Sequence, residues 1–181
     1  MGIVYLAIHV ETQKKYAIKI IRSSKQDEAG VVDRFHKEKH VLEKLKSPYI
    51  IQYYDAGTYN GLDYIVLEYF GNGSLGDYLR ENEKMSLYLS LKVIIKVLEA
   101  MEVAHESGVI HRDLKPDNIL IDESFDVRVT DFGLMKNLET SRTGQSTVTG
   151  VTLGTPSYMA PEQIKTAKAV TAQTDVYGVA A

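Results

Sequence analysis

Hydrophobic and polar positions alternate at the start of this chain. Val4, Leu6, Ile8 and Val10 interleave with Tyr5, Ala7 and His9, the period-two pattern of a strand, and residues 11–15 form a polar turn. Residues 16–21 predict the returning strand. The period then changes, because Val31, Phe35, Leu42 and Leu45 fall on one face of a helix. Residues 50–54 and 62–68 predict two further strands around Gly57-Thr58-Tyr59-Asn60-Gly61, and Gly71-Asn72-Gly73-Ser74 reads as a connector. Between residues 87 and 105 the positions Leu87, Leu91, Ile94, Leu98 and Met101 return to helical spacing, with Gly108 as a stop. Short apolar runs at residues 119–121 and 127–129, joined by a polar turn at 122–126, predict a small hairpin.

The hairpin is where chemistry enters. Joining the two strands by a tight turn brings Asn118 and Asp131 to one end of it. An amide oxygen and a carboxylate suit a hard cation such as magnesium, which takes oxygen ligands and usually shares them with phosphate. Asp113 and Lys115 lie on the segment entering the first strand, where a carboxylate can orient a hydroxyl nucleophile and an ammonium can meet a phosphate. The four together point to phosphoryl transfer. Glu38 sits within the apolar helical stripe, and a carboxylate there is costly unless a cation meets it. Lys19, at the end of the second strand, is the natural partner.

His111-Arg112-Asp113-Leu114-Lys115-Pro116-Asp117-Asn118, Asp131-Phe132-Gly133 and Ala160-Pro161-Glu162 occur in that order, preceded by Tyr16-Ala17-Ile18-Lys19. This set resembles the catalytic domain of eukaryotic-type (Hanks-type) serine/threonine protein kinases, departing from their V-A-I-K only at its first position. The resemblance implies an α+β, bilobal protein-kinase-like fold. A small antiparallel β lobe with one regulatory helix and the hinge would occupy residues 1–69. An incomplete, mainly helical large lobe would occupy residues 70–181.

It also implies site roles. Asp113 accepts the proton of the substrate hydroxyl, Lys115 and Lys19 balance phosphate charge, Glu38 positions Lys19, and Thr155 steadies Asp113 and Lys115. Asn118 and Asp131 hold Mg2+. The nucleotide, ATP, meets Gly2, Val4, Ala17 and Leu120, and the backbone of Glu68 and Phe70 beside Leu67. His111 packs on Phe132 as a structural residue, and Asp175 braces the backbone of the catalytic loop. Lys115-Pro116-Asp117 and Gly154-Thr155-Pro156 resemble serine/threonine rather than tyrosine kinases, so proteins bearing Ser or Thr are the implied acceptors.

Residues 140–154 are rich in hydroxyls, a composition typical of loops. Arg112, immediately before Asp113, is suited to receive a phosphate that orders such a loop. By resemblance to bacterial members the acceptors are Thr147 and Thr149, which brings in self-association for autophosphorylation between copies.

Composition narrows the picture. With 181 residues, a formal charge of −3 and no cysteine, the chain has material for a sizeable core, no bias toward nucleic acid, no disulfide framework and no thiolate chemistry. Its apolar runs are too short to cross a bilayer, and a cytoplasmic location is expected, alone or as part of a longer membrane-anchored protein. Only the last glycine of the family's phosphate loop, Gly2, is present, and Asp175 falls at the start of the long central helix, so the chain reads as part of a kinase. The alternative reading is a catalytically impaired module that binds nucleotide or a partner.

Overall fold

The computed structural model describes residues 3–21, 43–82, 84–132, 156–165 and 170–181. The chain divides into two compact units, residues 1–46 with 51–70, and residues 47–50 with 71–181.

The first unit is a four-stranded antiparallel sheet. Strands β1 (Ile3–Ile8), β2 (Lys15–Ile21), β3 (Tyr53–Tyr59) and β4 (Leu62–Glu68) lie in the order β1-β2-β4-β3. The β1–β2 turn closes through the Gln13 N–H donating to the His9 carbonyl at 2.8 Å, with Gln13 at φ 57°. β3 and β4 meet at Asn60 and Gly61, both at positive φ, the conformation of a two-residue hairpin turn that Asn-Gly adopts at little steric cost. The strand expected over residues 50–54 is therefore shifted: the turn is two residues rather than five, so Gly57, Thr58 and Tyr59 belong to β3. Ile51 precedes the strand and is buried. Among the described residues, Ile65 and Leu67 of β4 are the buried apolar positions of the sheet.

In the second unit, α1 (Leu75–Asn82) begins at Ser74, whose N–H and hydroxyl both donate to Asp77 while its Oγ accepts the Asp77 N–H. Those bonds from Ser74, with help from Arg80, push the Asp77 carboxyl down to about 2. α2 (Leu87–Glu106) starts from a Ser86 cap and ends where Gly108, at φ 74°, donates its N–H to the His105 carbonyl. Its buried face is Val93, Val97, Ala100, Met101 and Ala104, not the stripe of larger residues read from the sequence. Of that stripe only Met101 is buried; Leu87, Leu91, Ile94 and Leu98 are exposed. Ala100 and Ala104 give the helix a small-residue face, and the strand Val127–Val129 and the helix Ala172–Ala180 pack against α2.

The hairpin of β5 (Ile119–Ile121) and β6 (Val127–Val129) forms as expected, with Ile119 opposite Val129. α2 steadies its turn: Lys96 pairs with Asp126, and Lys92 Nζ donates to the Ser124 carbonyl at 2.5 Å. Ile50 bridges to Val129 in parallel and Ser74 to Leu120, so the hairpin is flanked on both edges. Two short helices follow, α3 (Pro161–Lys165) and α4 (Ala172–Ala180), the latter begun by a reciprocal Thr171–Thr174 capping box.

Candidate active site

The segment from His111 to Asn118 has no regular structure until Pro116, where a single 3-10 turn (Pro116–Asn118) delivers Asn118 to the start of β5. Proline suits the first position of that turn because its missing N–H would have been unsatisfied there. The Thr130 N–H donates to the Asn118 carbonyl at 3.0 Å, extending the hairpin register by one step and setting Asp131 just beyond it. Asn118 and Asp131 thus share one end of the hairpin. Asp131 sits at φ 58° and Arg112 at φ 65°, left-handed backbone that non-glycine residues adopt at a cost and that collects at functional sites.

Asn118 is buried, and its Nδ2 donates to the Asp113 carbonyl at 2.7 Å and to Asp113 Oδ2 at 3.3 Å. With the amide nitrogen so engaged, Oδ1 is the ligand-capable atom of this side chain, a hard oxygen donor that fits magnesium. Lys115 Nζ lies 3.9 Å from Asp113 Oδ2, both side chains largely shielded. A carboxylate, an ammonium and an amide thus converge on one loop.

Asp175, at the first turn of α4, holds that loop. It is 1% exposed, and its carboxylate accepts the His111 N–H and the Arg112 N–H, each at 2.8 Å, with His105 Nε2 also 2.8 Å away. Such charge-assisted bonds offset the desolvation of a buried carboxylate. Gly178 lets α4 come this close: a Cβ there would stand 2.9 Å from the Leu114 carbonyl oxygen. The brace expected of Asp175 is present, and His105 is satisfied by Asp175.

His111 is fully buried, its ring 4.7 Å from that of Phe132. Nδ1 accepts the Asp113 N–H at 3.3 Å and Nε2 faces the Thr130 carbonyl at 2.9 Å, a pair of bonds that the neutral Nε2–H tautomer satisfies. Burial holds the imidazole below the usual histidine range. This histidine ties the loop to the residues after β6. Arg112 Nε is buried and has no hydrogen-bond partner among the described residues. Burial also lowers the Arg112 pKa, although an arginine keeps its charge.

In the first unit, Lys19 lies opposite Val4 on β1 and Ile65 on β4, and Ala17 lies opposite Leu6 and Leu67. Directly paired residues and those two apart share a sheet face, so Val4, Ala17, Lys19 and Leu67 are on one face. The Glu68 N–H donates to the Gln52 carbonyl at 2.8 Å, and its carboxylate accepts the Gln52 N–H at 3.2 Å. Gly2, Glu38, Thr147, Thr149 and Thr155 lie outside the described residues. Sequence reasoning overlooked Gln163, whose side-chain Nε2 donates to the Arg112 carbonyl at 2.8 Å, and gave α1 no helix. Ser74-x-x-Asp77 ahead of Leu75 and Leu79 was a legible signal for the helix. Nothing local marks the bond from Gln163 to Arg112, because that partner is 51 residues away.

A family model for the protein kinase domain matches residues 1–181. The chain is 38% identical over 184 residues to a protein of Bifidobacterium longum (strain NCC 2705) named probable serine/threonine-protein kinase pknA2, covering 99% of this chain and 24% of that one. It is 36% identical over 165 residues to probable serine/threonine-protein kinase CPE1738 of Clostridium perfringens (strain 13 / Type A), covering 91% of this chain and 24% of that protein. Among solved structures, Rad53 1-466 in complex with AMP-PNP is similar with a TM-score of 0.76 and 30% identity, over 98% of this chain and 42% of that one. This likeness bears out the expected kinase-like fold. The chain spans about a quarter of the length of these two curated relatives.

Proposed function

Because the chain belongs to the protein kinase domain family, we propose that it is the phosphate-transferring part of a serine/threonine protein kinase. The reaction moves the γ-phosphoryl group of ATP to a Ser or Thr hydroxyl of a protein: a bond forms between that oxygen and the γ-phosphorus, the bond to the β-phosphate oxygen breaks, and ADP leaves. Asp113 orients the hydroxyl and takes its proton. Lys115 and Lys19 balance phosphate charge, and Val4, Ala17, Leu120 and the backbone of Glu68 and Phe70 receive the nucleotide. Asn118 and Asp131 would hold Mg2+, which when bound neutralises the charge that develops on the phosphates. Catalysis then rests on positioning and electrostatics rather than on a covalent intermediate.

The observation that carries this reading is the convergence of Asp113, Lys115 and Asn118 on one loop, with Asp131 at the adjoining end of the hairpin. Arg112 supports a regulatory extension. Its buried Nε has no partner among the described residues, which suits a phosphate on Thr147 or Thr149, placed there by a second copy of the chain. Among the described residues no helix is long and apolar enough to cross a membrane. The nucleotide the reaction needs is available in the cytoplasm, and we place the chain there, alone or as part of a longer membrane-anchored protein.

The test is incubation of the purified chain with magnesium and radiolabelled ATP beside Asp113→Asn, following label on the chain and on a basic protein acceptor. Label on serine or threonine that disappears in the variant supports the reading. A soluble, folded wild-type chain that transfers no more label than Asp113→Asn overturns it and leaves a nucleotide- or partner-binding module.

A further inference from the structure

Arg112 and the peptide groups on either side of it are held from two directions. Its N–H donates to Asp175 Oδ1 on α4, and its carbonyl accepts from Gln163 Nε2 on α3, each at 2.8 Å. Between these two bonds lies a non-glycine residue at φ 65°, and the next residue is Asp113. A left-handed peptide relaxes unless its surroundings over-determine it, and relaxation here would swing the Asp113 carboxylate.

The other end of the Gln163 amide is also committed. Its Oε1 accepts the Ala160 N–H at 2.9 Å. Ala160 N–H can only donate and the Arg112 carbonyl can only accept, so the two partners fix which way the amide points. The bond to Ala160 has a purely local explanation, since a Glu or Gln at the third position of a helix commonly reaches back to the residue before it. Glutamate would perform that capping equally well, and beside a helix N-terminus its charge is favourable. Only an amide can do both, because a carboxylate has no proton for the Arg112 carbonyl.

We propose that Gln163 is a positioning residue: its amide holds the Arg112 carbonyl and, with Asp175 on the opposite side, fixes the peptide that aims Asp113. The inference rests on the proposed role of Asp113 as the residue that receives the hydroxyl proton. It makes α3 more than a packing element. Whatever moves the segment that carries Ala160 and Gln163 is transmitted to the catalytic loop through one side-chain amide.

Gln163→Glu separates capping from positioning, because it keeps the acceptor for Ala160 and sets an oxygen against the Arg112 carbonyl. Gln163→Met removes both bonds without adding charge. In the kinase assay, both variants should lower kcat by about tenfold or more, the size of one hydrogen bond lost from the transition state, with KM for ATP changed by less than about twofold. Independently of turnover, hydrogen exchange on the same chain should accelerate at the Arg112 amide in both variants and stay unchanged at the Val129 amide, which is bonded to the Tyr49 carbonyl. Wild-type exchange at Arg112 in both variants overturns the proposal, as does wild-type kcat in an active chain. A wild-type chain that transfers no phosphate overturns the kinase reading alone, since the exchange measurement still decides whether Gln163 holds the loop.

Discussion

Two apolar hairpins in this molecule have opposite fates. β1, paired with β2, presents Ile3, Val4, Tyr5, Leu6 and Ile8 at 39–58% exposure. β5, paired with β6, is half as long, yet Ile119, Ile121, Val127 and Val129 are all buried. Composition does not separate them; neighbours do. Among the described residues β1 is an edge strand with β2 beside it, while the short hairpin is bridged by Ile50 and Ser74 and has its turn gripped by Lys92 and Lys96 of α2. Apolar alternation predicts that a strand forms, and only tertiary packing decides whether it becomes a rigid platform. The residues proposed as proton acceptor and magnesium ligands, Asp113, Asn118 and Asp131, are carried on or beside the platform, in keeping with chemistry that depends on fixed geometry.

The contrast can be broken at its strongest point first. Asp113→Asn should reduce phosphate transfer by about 10²–10⁴-fold, the usual worth of a positioned proton acceptor, with the melting temperature little changed; kcat and thermal melts on the same samples check it. Asp175→Ala leaves two N–H groups of the catalytic loop unpaired, one buried and one partly buried, at about 1–3 kcal/mol each, so denaturant unfolding should show a loss of about 3 kcal/mol together with loss of activity. Met101→Ala, on the buried face of α2, should cost about 2–5 kcal/mol by the cavity it leaves. Leu6→Ser on β1 should move stability by no more than about 0.5 kcal/mol. A comparable loss at Leu6 and at Met101 would end the comparison.

Acid supplies a subtler probe. The folded chain holds His111 neutral, with its pKa below the ordinary histidine value of about 6.5. Its contribution is therefore fully present above about pH 6.5 and is lost as pH falls from there toward the folded value, because the unfolded chain binds the proton more readily. The slope from this one group is at most about 1.4 kcal/mol per pH unit. Urea titrations between pH 7.5 and 5.5 should show that fall in the wild type and a shallower one in His111→Gln.

Much of this was legible in the residues, and the exceptions have physical reasons. The β5–β6 hairpin, the end of α2 at Gly108 and the meeting of Asn118 with Asp131 follow from local signals: short apolar runs, a left-handed glycine, a polar turn. The inward face of α2 was misread because large side chains dominate a periodicity, whereas the helix packs along the side that carries Ala100 and Ala104. β3 was misplaced because Ile50 and Ile51 look like strand residues, while one bridges to Val129 and the other lies buried ahead of the strand. Gln163 was invisible for a different reason: its significance lies in a bond to a carbonyl, and every residue has one.

The Arg112 amide waits on a partner 63 residues further along the chain. Synthesis proceeds from the N-terminus at roughly 5–20 residues per second. The loop bearing Asp113 is therefore synthesised some seconds before the carboxylate of Asp175 exists to brace it, roughly 3–13 s at that pace. The residues proposed to handle phosphate are thus made early, and the carboxylate that aligns their loop comes late.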